Sequence, residues 1–294
     1  MSSKFSGIFV AVVTPFKRNG ELDEQAMGNI ADFLVRKKVH GLYACGTTGE
    51  GVSMTLEQRK RVAEICLEHS SGRVTVMTQI GDESIDSARE LAQHAADIGV
   101  DGIAALTPYY YKPDEEALLD YYCEIGTFSD LPLFIYHIPP MTGLTLSPHL
   151  IEKIRNEVPA IKGIKDSSGD FKNLLEILYF KDREFSVFSG SDEYAYAGLI
   201  SGMDGCVTGY ASAFPENYVA LYRAFSEGNK SRALSLQKKI TMIKNQLRKP
   251  YIQPIKEALK MRGTDAGFVR KPLRPMSAEE IADLRKRLES VKAF

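Results

Sequence analysis

The chain has little that would commit it to a specialised chemistry. Its 294 residues include only four cysteines, Cys45, Cys66, Cys123 and Cys206, scattered and without a C-x-x-C pair. That excludes a disulfide scaffold and a cysteine-rich zinc site. It is the usage expected in a reducing cytoplasm, with the four acting as small core hydrophobes. There is no charge surplus: 37 Lys+Arg face 38 Asp+Glu, for a formal net charge of −1. A general polyanion binder, such as a nucleic-acid protein, is therefore not expected, although a local basic pocket is compatible. No stretch approaches the roughly 20 apolar residues of a membrane span. The apolar start, MSSKFSGIFVAVVTPF, is too short and too soon followed by turn residues for a signal peptide. The histidines His40, His69, His94, His137 and His149 show no metal-ligand spacing.

What is present is an alternation of short apolar runs and helical periodicities. The runs are GIFVAVVTP from Gly7, GLYAC from Gly41, RVTVMTQI over Arg73–Ile80, DGIAAL from Asp101, LPLFIY over Leu131–Tyr136, AIKGIK over Ala160–Lys165, FSVFSG over Phe185–Gly190 and DGCVTG over Asp204–Gly209. Between them, Thr55-Leu56-Glu57-Gln58 has the form of a capping box, and Ser147-Pro148 reads as an N-cap followed by proline at the first helical position. Most runs are continuously apolar, as expected of strands covered on both faces. Eight such units predict a (β/α)8 barrel. The alternative, an open doubly wound sheet, lacks its usual G-x-G-x-x-G after the first strand. Helical stretches near Arg232–Leu247, Ile252–Met261 and Ala278–Val291 follow. The expected organisation is a barrel over residues 1–225 with a C-terminal helical appendage over 226–294.

A barrel of this kind places its active site at the C-terminal strand ends. On the sixth strand, period-two alternation puts Ile161, Gly163 and Lys165 on one face. An inward Lys165 above a glycine would be desolvated, lowered in pKa and able to attack a ketone. Read alone, it is equally an ordinary lysine ion-paired with Asp166. Tyr136 ends the fifth strand, either as a proton carrier beside that amine or as a core aromatic. Cys45-Gly46-Thr47-Thr48-Gly49-Glu50 has glycines and hydroxyls suited to a carboxylate, or is a plain turn. It lacks the Lys-Ser/Thr ending of a P-loop. Gly190-Ser191-Asp192-Glu193 ends the seventh strand, with acids that bind substrate hydroxyls or cap a helix.

Four motifs occurring in order join these residues: GTTGE at Gly46–Glu50, PYY at Pro108–Tyr110, YHIPPMTG at Tyr136–Gly143 and GIKDSSGD at Gly163–Asp170. Together they resemble the N-acetylneuraminate lyase / dihydrodipicolinate synthase family of class I pyruvate-dependent aldolases, over essentially the whole chain. The resemblance implies that Lys165 forms a Schiff base with a 2-keto acid and that Tyr136 shuttles protons. It implies that Thr47 and Thr48 hold the carboxylate, Thr47 also relaying protons, and that Tyr110 serves a neighbouring subunit's site. It implies a homotetramer and no cofactor or metal beyond the covalent imine.

Where the synthases carry an arginine to grip their aldehyde substrate, this chain has Met141. Thr78-Gln79-Ile80-Gly81 also departs from their pattern. Gly190, Asp192 and Glu193 resemble the lyases' G-x-D-E, whose acids bind a hydroxyl-bearing tail, and Ser167 falls where lyases often have a hydroxyl. Thr47 stands in place of their serine, as does Gly209 in place of another that binds substrate. The expected activity is reversible cleavage of an N-acetylneuraminate- or 2-keto-3-deoxygluconate-type acid to pyruvate and an aldehyde. A dihydrodipicolinate synthase, a 2-keto-3-deoxy acid dehydratase and a non-catalytic sugar-acid-binding protein are the alternatives.

Overall fold

Eight apolar runs become eight parallel strands: β1 (Gly7–Ala11), β2 (Gly41–Ala44), β3 (Thr75–Gln79), β4 (Gly102–Leu106), β5 (Leu133–His137), β6 (Ile161–Asp166), β7 (Ser186–Ser189) and β8 (Gly205–Thr208). They pair in sequence order, and β1 closes on β8, making a (β/α)8 barrel. The computed structural model describes residues 4–247 and 251–294. Residues 1–3 of the expected barrel segment and 248–250 of the expected appendage lie outside the described residues.

The helices begin where side chains can take up their first unpaired amide groups. Thr55 and Gln58 form the capping box foreseen for helix Leu56–Ser70, and Ser147 caps Pro148–Glu157. Such caps contribute about 1 kcal/mol each. Residues facing the helices, such as Ile8, Val10, Ile135 and Ile164, form the larger apolar core between strands and helices. A second, smaller cluster fills the barrel itself, with Phe9, Tyr43, Phe134, Tyr136 and Phe188 among its members. Among the described residues, this cluster fills the barrel interior below the C-terminal strand ends, where a barrel of this kind carries its site.

The alternation expected along β6 holds only in part. Leu133 pairs with Ile161 but Phe134 pairs with Gly163, so Lys162 is an extra residue in the register. The bulge turns Ile161 into the strand–helix core, while Gly163 and Lys165 share the barrel face with Phe134 and Tyr136. Gly163 makes room for a neighbour rather than for a ligand. A Cβ there would lie 2.3 Å from both the Phe134 ring and the Ser186 carbonyl.

After β8, helix Pro215–Ser226 packs on β1, Lys230–Gln246 packs on that helix, Gln253–Met261 meets the turn Tyr210–Ser212, and Ala278–Ser290 packs on the last two helices before it. Two ties reach from them to the strand-end loops. Phe268 forms an antiparallel bridge with Phe16. Lys256, fully buried, donates to Glu50 Oε1 at 2.6 Å, to the Thr14 carbonyl at 2.6 Å and to the Phe268 carbonyl at 2.7 Å. Glu50 Oε2 accepts the Arg270 amide at 2.7 Å, so both ions have several partners. Among the described residues, no helix is long and apolar enough to cross a membrane.

Candidate active site

Parallel pairing sets Tyr136 of β5 directly beside Lys165 of β6. The Lys165 ammonium lies 3.9 Å from the Tyr136 ring centroid and 4.4 Å from that of Tyr43 on β2. Lys165 is 4% exposed. Burial pushes its pKa down to about 7, against the opposing pull of Asp192. The neighbouring carboxylate is engaged elsewhere. Asp166 Oδ1 lies 2.8 Å from His137 Nδ1, with both side chains fully buried. His137 Nε2 accepts the Leu146 amide at 3.1 Å, which leaves the ring proton on Nδ1 for Asp166. Asp166 also takes the Ser168 hydroxyl at 2.9 Å. An ordinary Lys165–Asp166 pair is thereby replaced by a His137–Asp166 bond behind the site.

The Tyr136 hydroxyl is 3.0 Å from Thr47 Oγ1. Burial pushes the Tyr136 phenol upward, while the Thr47 hydrogen bond draws it back. Thr48 Oγ1 lies 3.4 Å from the Tyr251 hydroxyl. These groups open on a cavity of about 190 Å³ whose wall includes Thr48, Tyr136, Lys165, Ser167, Gly190, Asp192 and Gly209. Seven of the residues singled out from sequence therefore share one pocket, and Thr47 stands one hydrogen bond behind it. Gly209 is tightly hemmed: a Cβ there would lie 2.3 Å from Thr48 Oγ1. A serine at that position would collide with the threonine rather than add a substrate contact. Gly190 is similarly close to Ser167, whose Oγ would be 2.0 Å from an added Cβ.

Two expected residues stand apart from that wall. Tyr110 is 75% exposed on the loop after β4, its amide donating to Glu83 Oε1 at 2.6 Å. Its ring packs edge-on against Tyr111, 5.2 Å between centroids. Glu193 pairs with the ammonium of Lys244, whose distance to Asp192 Oδ2 is 3.7 Å. Asp192 is itself buried, and its Oδ1 accepts from the Tyr218 hydroxyl at 2.6 Å and from Thr208. Burial raises the Asp192 pKa, and Lys244 works against that rise.

Sequence reasoning missed Tyr43, Tyr251 and Lys244. Lys244 carried a readable signal. Ala233, Gln237 and Ile240 mark the buried stripe of helix Lys230–Gln246, and Lys244 continues it four residues on. A lysine on a buried stripe needs a partner or a ligand.

Similarity to known proteins agrees with this geometry. A model of the dihydrodipicolinate synthetase family matches residues 4–291. The 4-hydroxy-tetrahydrodipicolinate synthase of Methanothrix thermoacetophila is 35% identical over 286 residues, covering 96% of this chain and 95% of that one. The "Probable 2-dehydro-3-deoxy-D-pentonate aldolase YjhH" of Escherichia coli is 38% identical over 265 residues, covering 88% of each chain. The structure of YagE, a prophage protein of E. coli crystallised with pyruvate, superposes with a TM-score of 0.94 at 29% identity, covering 99% of both chains. With its closed barrel and its matching strand-end motifs, the chain belongs to the dihydrodipicolinate synthetase family and is an enzyme of that family's pyruvate-dependent carbon–carbon lyases.

Proposed function

We propose that the protein is a class I aldolase acting through a Schiff base at Lys165. Its substrate is a 2-keto sugar acid of the 2-keto-3-deoxygluconate or N-acetylneuraminate type, cleaved reversibly to pyruvate and an aldehyde. The observation that carries this reading is the buried amine of Lys165, lowered to about 7 and packed on the Tyr136 ring, with the Tyr136 hydroxyl 3.0 Å from Thr47. In this mechanism the neutral amine attacks the 2-keto carbon, and the carbinolamine loses its oxygen as water to leave an iminium. Tyr136, whose phenolate is disfavoured by burial, works as a relay: it receives the C4 hydroxyl proton as its own proton moves on through Thr47. The C3–C4 bond breaks and its electron pair enters the iminium, giving the free aldehyde and the enamine of pyruvate. Protonation at C3 and hydrolysis release pyruvate and restore Lys165. The iminium takes up the electron pair, so the cycle calls for no cofactor.

Thr47 and Thr48 hold the substrate carboxylate in this reading. Tyr110 of the partner subunit completes the proton relay in a homotetramer, consistent with its exposure on a single chain. The crowding at Gly209 makes the threonine contact testable. Gly209→Ser is expected to displace Thr48 and raise KM for the 2-keto acid roughly tenfold, the cost of one hydrogen bond to a charged group. Steady-state kinetics would show it, and an unchanged KM would remove Thr48 from the carboxylate site.

A second reading, condensation of pyruvate with aspartate semialdehyde, is favoured by the synthase name of several relatives. Against it stands Met141 on the pocket wall, whose thioether cannot form the bidentate pair that a second carboxylate would use. Pyruvate release from N-acetylneuraminate and 2-keto-3-deoxygluconate, measured beside semialdehyde consumption, separates the two. A dehydratase would differ from both by keeping the carbon skeleton whole. Release from either sugar acid is expected. Semialdehyde consumption alone would overturn the aldolase reading.

A further inference from the structure

We propose that Lys244, on helix Lys230–Gln246, determines specificity for the aldehyde half of the substrate by selecting an uncharged, polyhydroxylated chain. The proposal rests on the aldolase reading above and extends it to a residue outside the barrel.

Lys244 shares the pocket wall with Lys165, and Asp192 stands between them in charge: it acts on the Lys165 amine and lies 3.7 Å from the Lys244 ammonium. A substrate bound through its keto carbon at Lys165 would share this pocket with Lys244. Lys244 is only 13% exposed, so its charge is held in the wall rather than in free solvent. An ammonium has three donors. Glu193 pairs with it, Asp192 lies within ion-pair distance, and the Tyr210 ring stands 5.5 Å away on the same pocket wall, so the ammonium faces the space a ligand would fill. The helix is fixed in place, since Gln237 donates to the Asp192 carbonyl at 2.8 Å and accepts the Tyr196 amide at 2.8 Å.

The balance of charge chooses the ligand. Asp192 and Lys244 give the wall an acceptor and a donor, and Glu193, paired with Lys244 from outside the wall, leaves no positive excess. A second carboxylate or a phosphate on the aldehyde would meet Asp192 and an ammonium already neutralised by Glu193, without an arginine to offset them, since Met141 holds the loop position on the same wall. Hydroxyl groups on successive carbons suit it instead, each able to accept from Lys244 and donate to a carboxylate.

The test runs in the condensing direction, with pyruvate and three aldehydes: glyceraldehyde, unsubstituted propanal and the anionic glyceraldehyde 3-phosphate. Wild-type enzyme is expected to favour glyceraldehyde over both others. Lys244→Met is expected to lower kcat/KM for glyceraldehyde roughly 10- to 100-fold, the loss of one charged hydrogen bond, and to change propanal less than about threefold. Lys244→Arg should recover part of the glyceraldehyde preference. Borohydride trapping of the pyruvate imine on Lys244→Met reports whether the barrel is folded and its amine competent. An unchanged glyceraldehyde-to-propanal ratio in a variant that still traps pyruvate would overturn the proposal, as would a wild-type preference for the phosphate. Failure of the wild type to trap pyruvate would instead sink the aldolase reading.

Discussion

Lys165→Ala is expected to lose pyruvate release by on the order of 10⁴-fold or more, because a covalent nucleophile has no substitute in its own step. Intact-mass measurement gives the sharper result. Pyruvate with borohydride should add a stable mass to the wild type and none to the variant. Labelling of Lys165→Ala to the same extent would place the nucleophile on another lysine. The pH dependence follows from the same group. Imine formation needs the unprotonated amine, so the rate should rise with pH up to about 7 and level off above it. At an ordinary lysine pKa of about 10.4, fewer than roughly one amine in a thousand would be neutral at pH 7. Burial in the aromatic walls of the barrel thus supplies about three orders of magnitude in reactive amine. A rate still climbing steeply at pH 9 would mean that the amine is not desolvated as described.

The largest effect on stability is expected outside the pocket wall, at the fully buried Glu50–Lys256 pair. Lys256→Met leaves the Glu50 carboxylate without its cation and two carbonyls, those of Thr14 and Phe268, without their donor. Breaking one partner of such a pair costs about 3–5 kcal/mol. Because the pair joins helix Gln253–Met261 to the loop carrying Thr47 and Thr48, the variant should also bind the 2-keto acid more weakly. Chemical denaturation measures the first effect and KM the second. The double variant Glu50→Gln with Lys256→Met should recover part of the stability, since no uncompensated charge then remains. A loss below about 1 kcal/mol for Lys256→Met would show that the pair is not what holds the C-terminal helices to the loop.

Most of the barrel was legible because each strand is covered on both sides and reads as a short apolar run, and because capping residues mark helix starts at Thr55 and Ser147. Lys165 and Tyr136 were legible only as candidates from their strand-end places; the motifs around them, not the spacing, favoured the barrel mouth over an ion-paired lysine and a core aromatic. The failures share a different cause. The bulge at Lys162 changes which residues share a face, and a strict period of two has no way to register an inserted residue. The roles of Asp166 and Gly163 depend on His137, Phe134 and Ser186, which meet them only when adjacent strands pair. Glu50 and Lys256 are 206 positions apart, and Lys244 reaches Asp192 from a helix beyond the barrel. No local pattern encodes such meetings.

The bond between His137 and Asp166 has a bearing on how this enzyme could change its substrate. Each residue directly follows one of the two side chains proposed to react, so the bond acts as a crossbar behind Tyr136 and Lys165. The carbon–carbon chemistry is mounted on paired strands that this crossbar braces. The far wall of the pocket, by contrast, draws on the short helix Pro139–Thr142, which carries Met141, and on a helix outside the barrel. In the proposed reaction, substitutions in that outer wall would exchange one aldehyde for another while the amine and phenol keep their spacing. The scaffold separates what is broken from what is recognised, and selection can act on the second without disturbing the first.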